Sequence, residues 1–268
     1  MKTINVKFKE VDYKKYVKRP AKESDFETLI REDCILTDEN GKLILLYFKF
    51  PNDTSELVKA CKEIPYETSQ RSGGLKTTSR IFGFDPFTGI RKPYCSATSL
   101  AIKFPKQHKV ITKFGEQINE IYQKYLPEAY NKHKVIAEEK IEVGWRIPKT
   151  PFTSGIINKN NQLNYHFDSG NFQGVYSNMI VLKNNVAGGY LSLPTYGVGL
   201  ECANNTLVMF DGQSILHGVT PIKFFGQGAY RYSLIYYTLQ SMWNCDDLTT
   251  ELAKVRNRRI KIEKRNAK

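Results

Sequence analysis

Near the start of the chain Ile4, Val6 and Phe8 alternate with lysines, a two-residue period that predicts a half-buried strand with a charged outer face. Asp53, Thr54 and Ser55 then offer capping oxygens to a short helix that runs towards Ile64 and stops at Pro65. Ile111, Phe114, Ile118, Ile121, Tyr122 and Tyr125 recur at three- and four-residue steps, so a longer helix is predicted there, closed by Pro127. Between the two helices SQRSGGLKTTSRIFGF, residues 69–84, combines a glycine pair with small hydroxyl residues and reads as a loop. From about residue 136 the texture changes. IEVGWRI, TSGIIN, SNMIVLK, GGYLSLP, TLVMFDG and YRYSLIYYTL are short β-rich runs separated by Gly, Asn and Pro, the pattern of an antiparallel sandwich or jelly roll. Asp246 and Asp247 can cap a last helix with Leu248, Leu252 and Val255 on one face and Arg256, Arg258, Arg259 and Lys261 elsewhere.

These elements predict an α+β chain built on a double-stranded β-helix (jelly-roll) core at 136–245. A strand-and-helix elaboration at 1–135 packs on that core and a basic helix follows at 246–268, all within one compact domain. A length of 268 residues with 41% hydrophobic positions is enough for one substantial core. The net charge of +13 is concentrated at the ends. Residues 1–22 and 251–268 each hold eight basic and two acidic side chains, whereas 23–250 hold 24 basic and 23 acidic ones. Basic ends on a neutral body suit a polyanion, and nucleic acid before all others. No apolar run follows the basic residues of the N-terminus, and LILLYF at 43–48 is too short for a bilayer. The five cysteines are scattered without a CxxC pair, which predicts neither a disulfide framework nor a zinc knuckle and points to a cytoplasmic protein.

Candidate chemistry concentrates in the β-rich half. His166 and Asp168 stand two apart in a strand-like stretch and so face the same side, able to bind one ion together. His217 follows 49 residues after Asp168, a distance over which a jelly roll returns to the same place. Two imidazoles and a carboxylate form the facial triad that holds Fe(II) with three positions open, although zinc or manganese could take the same ligands. Arg231 and Ser233 share one face of YRYSLIYY, opposite Tyr230, Tyr232 and Leu234. An inward arginine with a hydroxyl two residues on is a carboxylate clamp. A clamp beside a metal with open positions suits 2-oxoglutarate as cosubstrate, with dioxygen in the remaining position. The other histidines, His108 and His133, lie in lysine-rich polar contexts and read as surface residues.

At these residues the sequence resembles the Fe(II)/2-oxoglutarate dioxygenases, and more narrowly the TET/JBP group of nucleic-acid base hydroxylases. The resemblance runs from about Arg71 to Tyr237 through SRIFGF, Pro93-Tyr94-Cys95, TPFTSGIINKN, YHFDSGN, GGYLSLPTYGVGLE, FDGQSILHGVTPI and RYSLIYY. It implies His166, Asp168 and His217 as iron ligands and Arg231 with Ser233 as the 2-oxoglutarate clamp. It also places Asn158 and Asn160 near the substrate. Members of the group often carry an acid three residues after the metal aspartate, where this chain has Asn171, an amide that both donates and accepts.

The implied reaction is hydroxylation of the methyl group of 5-methylcytosine or thymine in DNA. Asp168 fills the third protein position, which argues against a halogenase. A methyl group in the major groove cannot reach a buried iron, so the base must be flipped or already single-stranded. The basic termini would hold phosphates, with Arg71, Lys76 and Arg80 as further contacts near the base. The alternative keeps the iron chemistry and makes the substrate a protein side chain or a small metabolite.

Overall fold

The computed structural model describes residues 1–70 and 74–266. Two sheets face each other as a jelly roll. The larger has ten strands, ordered Lys2–Val6, Cys34–Asp38, Leu43–Lys49, Thr206–Phe210, Ser177–Asn184, Tyr230–Tyr237, Ser154–Lys159, Lys76–Asp85 and Glu67–Gln70, with Ser96–Ala97 paired beside Lys76–Asp85. The smaller has five, ordered Thr28–Ile30, Val198–Leu200, Leu191–Leu193, His217–Val219 and Leu163–His166. Strands from before residue 90 therefore extend both sheets.

Side-chain alternation along Tyr230–Tyr237 explains how the layers stack. Tyr232, Leu234 and Tyr236 enter a core shared with Ile111, Phe114, Ile118 and Tyr122 of the helix Pro105–Tyr125. Ser233, Ile235 and Tyr237 point the other way, into the space between the sheets. Burial on both faces accounts for the continuous apolar run 179–182 within Ser177–Asn184, which pairs with this strand from Asn178↔Tyr236 to Asn184↔Tyr230. A second core of Leu45, Val181, Leu191, Leu200 and Val208 fills the inter-sheet space, and Leu191 also lines the cavity.

Several expectations need correction. Within the stretch expected to be a loop, Glu67–Gln70 and Lys76–Asp85 are strands that pair in antiparallel register, Thr68↔Thr78 among them, while residues 71–73, Arg71 included, lie outside the described residues. The β-branched run TTS and the apolar IF supply the strand propensity that the glycine pair obscured. Pro127 ends one helix and is also the first residue of the next, Pro127–Lys140, where its missing N–H costs nothing. In the last helix, Leu248–Asn266, Leu252 is 66% exposed and the buried side chain is Glu251. Its carboxylate accepts the backbone N–H groups of Cys95 at 2.9 Å and Asp246 at 3.1 Å, so hydrogen bonds dock this helix where an apolar face was expected. Cys95 and Cys245 form a disulfide beside that dock. A separation of 150 residues between partners is invisible to spacing rules. No helix of the described residues is long and apolar enough to cross a membrane.

His108 and His133 are also not surface residues. His108 Nε2 accepts the backbone N–H of Gly83 at 3.0 Å. His133 is fully buried among Tyr122, Phe152 and Phe172. Thr238 donates its hydroxyl proton to the carbonyl of Pro151, so His133 Nε2–H must be the donor in the 2.7 Å bond to Thr238 Oγ1. Nδ1 then has no partner, and burial pushes the imidazole pKa down to about 3. The unfolded chain, with an ordinary histidine pKa near ~6.5, binds this proton more readily than the fold does. Stability should therefore fall as pH drops from about 6.5 towards about 3. His133→Gln, which keeps a donor for Thr238 and cannot titrate, is expected to flatten that part of the curve. Urea unfolding across pH 3.5–7 measures it, and an unchanged curve would remove His133 from the account.

Candidate metal and dicarboxylate site

The smaller sheet places His166 and His217 directly opposite each other on neighbouring antiparallel strands, Leu163–His166 and His217–Val219. Their ring centroids are 4.3 Å apart. Asp168 follows His166 by two residues, and its Oδ1 lies 3.6 Å from His166 Nε2 and 3.7 Å from His217 Nε2. These three residues could hold a metal ion, with one ligand atom each and all within 4.8 Å of one another.

Hydrogen bonds set the orientation of both rings. His166 Nδ1 bonds to the carbonyl of Asn164 and His217 Nδ1 to that of Ile215, each at 2.8 Å. A carbonyl only accepts, so each Nδ1 carries the proton and each Nε2 presents a lone pair. Burial lowers the His217 pKa to about 4 despite the raising effect of Asp168, which keeps that lone pair free at neutral pH. Two lone pairs and a carboxylate oxygen converging on one point repel one another unless a cation sits between them. The donor set therefore fits a divalent metal, and its mixed nitrogen and oxygen chemistry fits Fe(II).

Asp168 is held from behind by the turn after Thr206–Phe210. Its backbone N–H donates to the carbonyl of Gly212 at 2.8 Å. A Cβ on Gly212 would lie 2.1 Å from Asp168 Oδ2, so the FDG turn needs glycine to let the carboxylate stand where it does. Read along the chain, FDG is only a turn; the need for glycine comes from the segment that carries Asp168.

The three residues open into a cavity of about 250 Å³. Ser233, Ile235 and Tyr237 of the central strand line it, together with Asn158, Met179 and Phe210. Arg231 lies one strand repeat beyond Ser233 on the same face and is 1% exposed. Its Nε and Nη2 have no hydrogen-bond partner, and its polar neighbour is the Cys202 thiol. Burial pushes the guanidinium pKa down. Gly189, at φ 67°, closes over it, and a Cβ there would be 2.9 Å from Nε. A buried cation with two unsatisfied donors costs several kcal/mol, on the order of the penalty for any uncompensated charge. A carboxylate is the group that removes that cost. The site thus fits a molecule that chelates a metal at one end and presents a carboxylate at the other.

The structure treats the expected substrate contacts unevenly. Asn158 lines the cavity; its Oδ1 accepts from Asn161 at 3.2 Å. Asn160 does not line it: its Oδ1 accepts the backbone N–H of Arg231 at 2.8 Å and so steadies the clamp strand. Asn171 lines the cavity with its amide engaged internally, Oδ1 accepting from the Phe172 and Thr238 backbone and Nδ2 donating to Ser177. Arg80 is not a lining residue; it pairs with Glu67 and donates to Ser99. Gly212, Gly189 and Cys202 are the contributors that sequence motifs did not reveal.

Residues 82–240 match the Tet_JBP family, described as the oxygenase domain of the 2OGFeDO superfamily. Thymine dioxygenase JBP1 of Trypanosoma brucei brucei is 26% identical over 160 residues, which are 58% of this chain and 18% of that protein. The bifunctional helicase and thymine dioxygenase JBP2 of Trypanosoma brucei brucei (strain 927/4 GUTat10.1) is 26% identical over 215 residues, 75% of this chain and 19% of that protein. The chain thus spans less than a fifth of the length of these curated relatives. Among solved structures, NgTET1 in complex with 5mC DNA superposes with a TM-score of 0.60 at 16% identity, covering 88% of this chain and 89% of that one.

Two substitutions should separate the two halves of the site. Gly212→Ala is expected to weaken Mn(II) binding at least ~10-fold by displacing Asp168, with the fold retained. Arg231→Met should do the reverse. It removes an unpaired buried charge and so should raise the melting temperature of the ligand-free protein. The same change should weaken 2-oxoglutarate binding by ~30-fold or more and leave Mn(II) binding intact. Calorimetric titrations and thermal melts check both, and equal loss of metal in the two variants would show that Arg231 is misassigned.

Proposed function

The chain belongs to the Tet_JBP family, the oxygenase domain of the 2OGFeDO superfamily, and from that premise we propose that it hydroxylates the methyl group of a 5-methylpyrimidine base in DNA. That superfamily uses Fe(II), 2-oxoglutarate and dioxygen, and the protein is accordingly a dioxygenase. The observation that carries the reading is the gathering of three metal-ligand atoms on one cavity, with an unpaired buried guanidinium on the strand whose Ser233 lines that cavity. Relatives named thymine dioxygenases, and a structural neighbour bound to 5mC DNA, support a pyrimidine methyl as the target.

In this reading His166, Asp168 and His217 would hold Fe(II), each imidazole offering Nε2 and the aspartate a carboxylate oxygen. Arg231 and Ser233 take the far carboxylate of 2-oxoglutarate, the guanidinium with its Nε and Nη2 and the hydroxyl with a further bond. The chemistry that Fe(II) with 2-oxoglutarate and dioxygen would supply here is hydroxylation of a C–H bond coupled to conversion of 2-oxoglutarate to succinate and carbon dioxide. The protein's own part is positional. Backbone carbonyls keep both imidazoles in the ligating tautomer, Gly212 keeps the carboxylate in place, and the apolar wall of Met179, Phe210 and Ile235 limits water around the reacting centre.

A base inside a duplex cannot reach this cavity, so the target is flipped out or single-stranded. Cations to hold the backbone come from the last helix. Lys254 is spent on Asp246 and Glu251, and Arg259 on Glu263. Arg256, Lys261, Lys264 and Arg265 pair with no acid among the described residues. At the other end Lys9, Lys15 and Arg19 are paired with Glu27, Asp12 and Asp25, so the N-terminal charge is partly neutralised within the fold.

Incubation with Fe(II), 2-oxoglutarate and DNA containing thymine or 5-methylcytosine, followed by digestion and nucleoside mass spectrometry, tests the proposal. A product heavier by one oxygen is expected. Absence of such a product on any nucleic acid, with succinate formed on a polypeptide or metabolite, would replace the proposed substrate. The triple substitution Arg256→Ala, Lys261→Ala, Lys264→Ala should lower DNA affinity and reduce the slope of log affinity against log salt by roughly two to three on duplex DNA. An unchanged slope would remove the last helix from the interface.

A further inference from the structure

Most of the residues expected to meet the substrate are engaged inside the protein, which leaves open which groups face it. A second cavity, of about 370 Å³, adjoins the metal-ligand cavity and shares Leu163, His166, Phe167 and Ser169 with it. That volume lies within the usual range of small-molecule sites, roughly 300–1,000 Å³. Its remaining wall is drawn from three separate parts of the chain: Asn164 and Tyr165 on the His166 strand, Leu75 beside the 67–85 hairpin, and Val17 with Lys18 from the N-terminal segment.

The N-terminal segment is fastened at this point. Lys18 N–H donates to the carbonyl of Tyr165 at 2.8 Å, and Tyr165 N–H donates to the carbonyl of Arg19 at 2.9 Å. Pro20 bridges to Asn164, and the Arg19 guanidinium lies 4.5 Å above the Tyr16 ring and 5.4 Å above that of Tyr165. Tyr13 meets Phe167 edge-on at 5.5 Å, fixing the ring that divides the two metal ligands in sequence. Lys18 itself is held at φ 70°, a left-handed conformation that a lysine adopts only where its surroundings impose it.

The chemistry of this wall is selective. It carries a cation, Lys18, and no carboxylate. The Asn164 side-chain amide and the Ser169 hydroxyl have no hydrogen-bond partner among the described residues, although the Asn164 carbonyl is taken by His166 Nδ1. An amide offers both donor and acceptor, so by rotating it can meet the polar edge of either thymine or a cytosine. A ring with apolar faces, a mixed donor–acceptor edge and an attached anion satisfies every group present: a pyrimidine nucleotide does, and an acidic or basic side chain of a protein does not.

We propose that this outer cavity seats the target nucleotide, its ring packed on Phe167 and Leu163, its polar edge on the Asn164 amide, and its adjoining phosphate on the Lys18 ammonium. The inference rests on the reading of the protein as a DNA-base hydroxylase and assigns the groups that select the base. It makes Lys18 and Asn164 specificity residues supplied from outside the metal and clamp set.

Steady-state oxidation of short oligonucleotides tests it, with the whole chain and with Mn(II) affinity measured for every variant. Lys18→Ala should raise KM for the oligonucleotide ~10-fold with kcat held, and Lys18→Arg should restore it. A neutral methylphosphonate in the linkage beside the target base should cost the wild type a similar factor and cost Lys18→Ala nothing, because the contact is already gone. Asn164→Asp can only accept, so it should shift the kcat/KM ratio towards 5-methylcytosine over thymine by ~10-fold or more, the cytosine amino group being a donor. Lys18→Ala at unchanged KM, or a methylphosphonate penalty equal in wild type and Lys18→Ala, would overturn the phosphate contact. An unchanged base ratio in an Asn164→Asp protein that keeps its metal would overturn the edge contact. Those results, with the wild type still oxidising DNA, reject this site alone; no oxidation of any nucleic acid by the wild type rejects the functional reading and the site with it.

Discussion

The strand Tyr230–Tyr237 is buried on both faces, and its two-residue alternation ties the scaffold to the site. Tyr232, Leu234 and Tyr236 anchor the helical layer, with Tyr236 donating to the carbonyl of Ile111 at 2.8 Å. Arg231, Ser233, Ile235 and Tyr237 turn towards the space between the sheets. A slip of one residue in register would exchange the two sets, pushing a guanidinium into an apolar helix interface and three aromatic or aliphatic side chains into the cavity. Pairing with Ser177–Asn184 on one side and Ser154–Lys159 on the other pins that register along nearly the whole strand. The helical layer thereby helps to decide where the clamp stands.

What this scaffold holds in place is deliberately incomplete chemistry. The Arg231 guanidinium has two buried donors without acceptors, and two imidazole nitrogens and a carboxylate oxygen are gathered at one point. The unpaired donors destabilise the ligand-free fold, and a bound carboxylate would relieve that cost. The relief appears as binding free energy. Gly189 and Gly212 show how tightly the arrangement is drawn, since at both positions a single methyl group would overlap the functional side chain. Preorganisation of this kind lets the fold spend stability on positioning.

The jelly roll was legible in short β-rich runs between glycines, and local spacing puts His166 with Asp168 on one strand face and Arg231 with Ser233 on another; the structure brings His217 to the first pair. Interactions between distant segments were not legible. The Cys95–Cys245 disulfide, the docking of Glu251 on Cys95 and the burial of His133 all join residues about 100 or more positions apart. No local period encodes them. In the 69–84 segment the glycine pair dominates the local signal, whereas the strand pairing of Glu67–Gln70 with Lys76–Asp85 is carried by the residues around it. Among the asparagines, Asn160 and Asn171 attract notice as polar residues close to the ligands, yet hydrogen-bond saturation by backbone groups decides what they do. Type and proximity do not report saturation.

That saturation also bears on how base selection could arise. An amide whose oxygen already accepts two backbone N–H groups, as in Asn171, cannot rotate to present a new face without unmaking both bonds. It supports the wall and has little left to offer a ligand. Asn164 differs because its backbone carbonyl serves His166 while its side chain stays uncommitted. The same residue thus orients a metal ligand through its main chain and can read a substrate through its amide. If so, the distance between the reading group and the reacting centre is fixed by two residues of strand, roughly 6.7 Å, and cannot drift independently of the metal. Selectivity built on such a residue is geometrically coupled to catalysis, whereas selectivity built on a mobile loop would have to be re-established with each opening of the cavity.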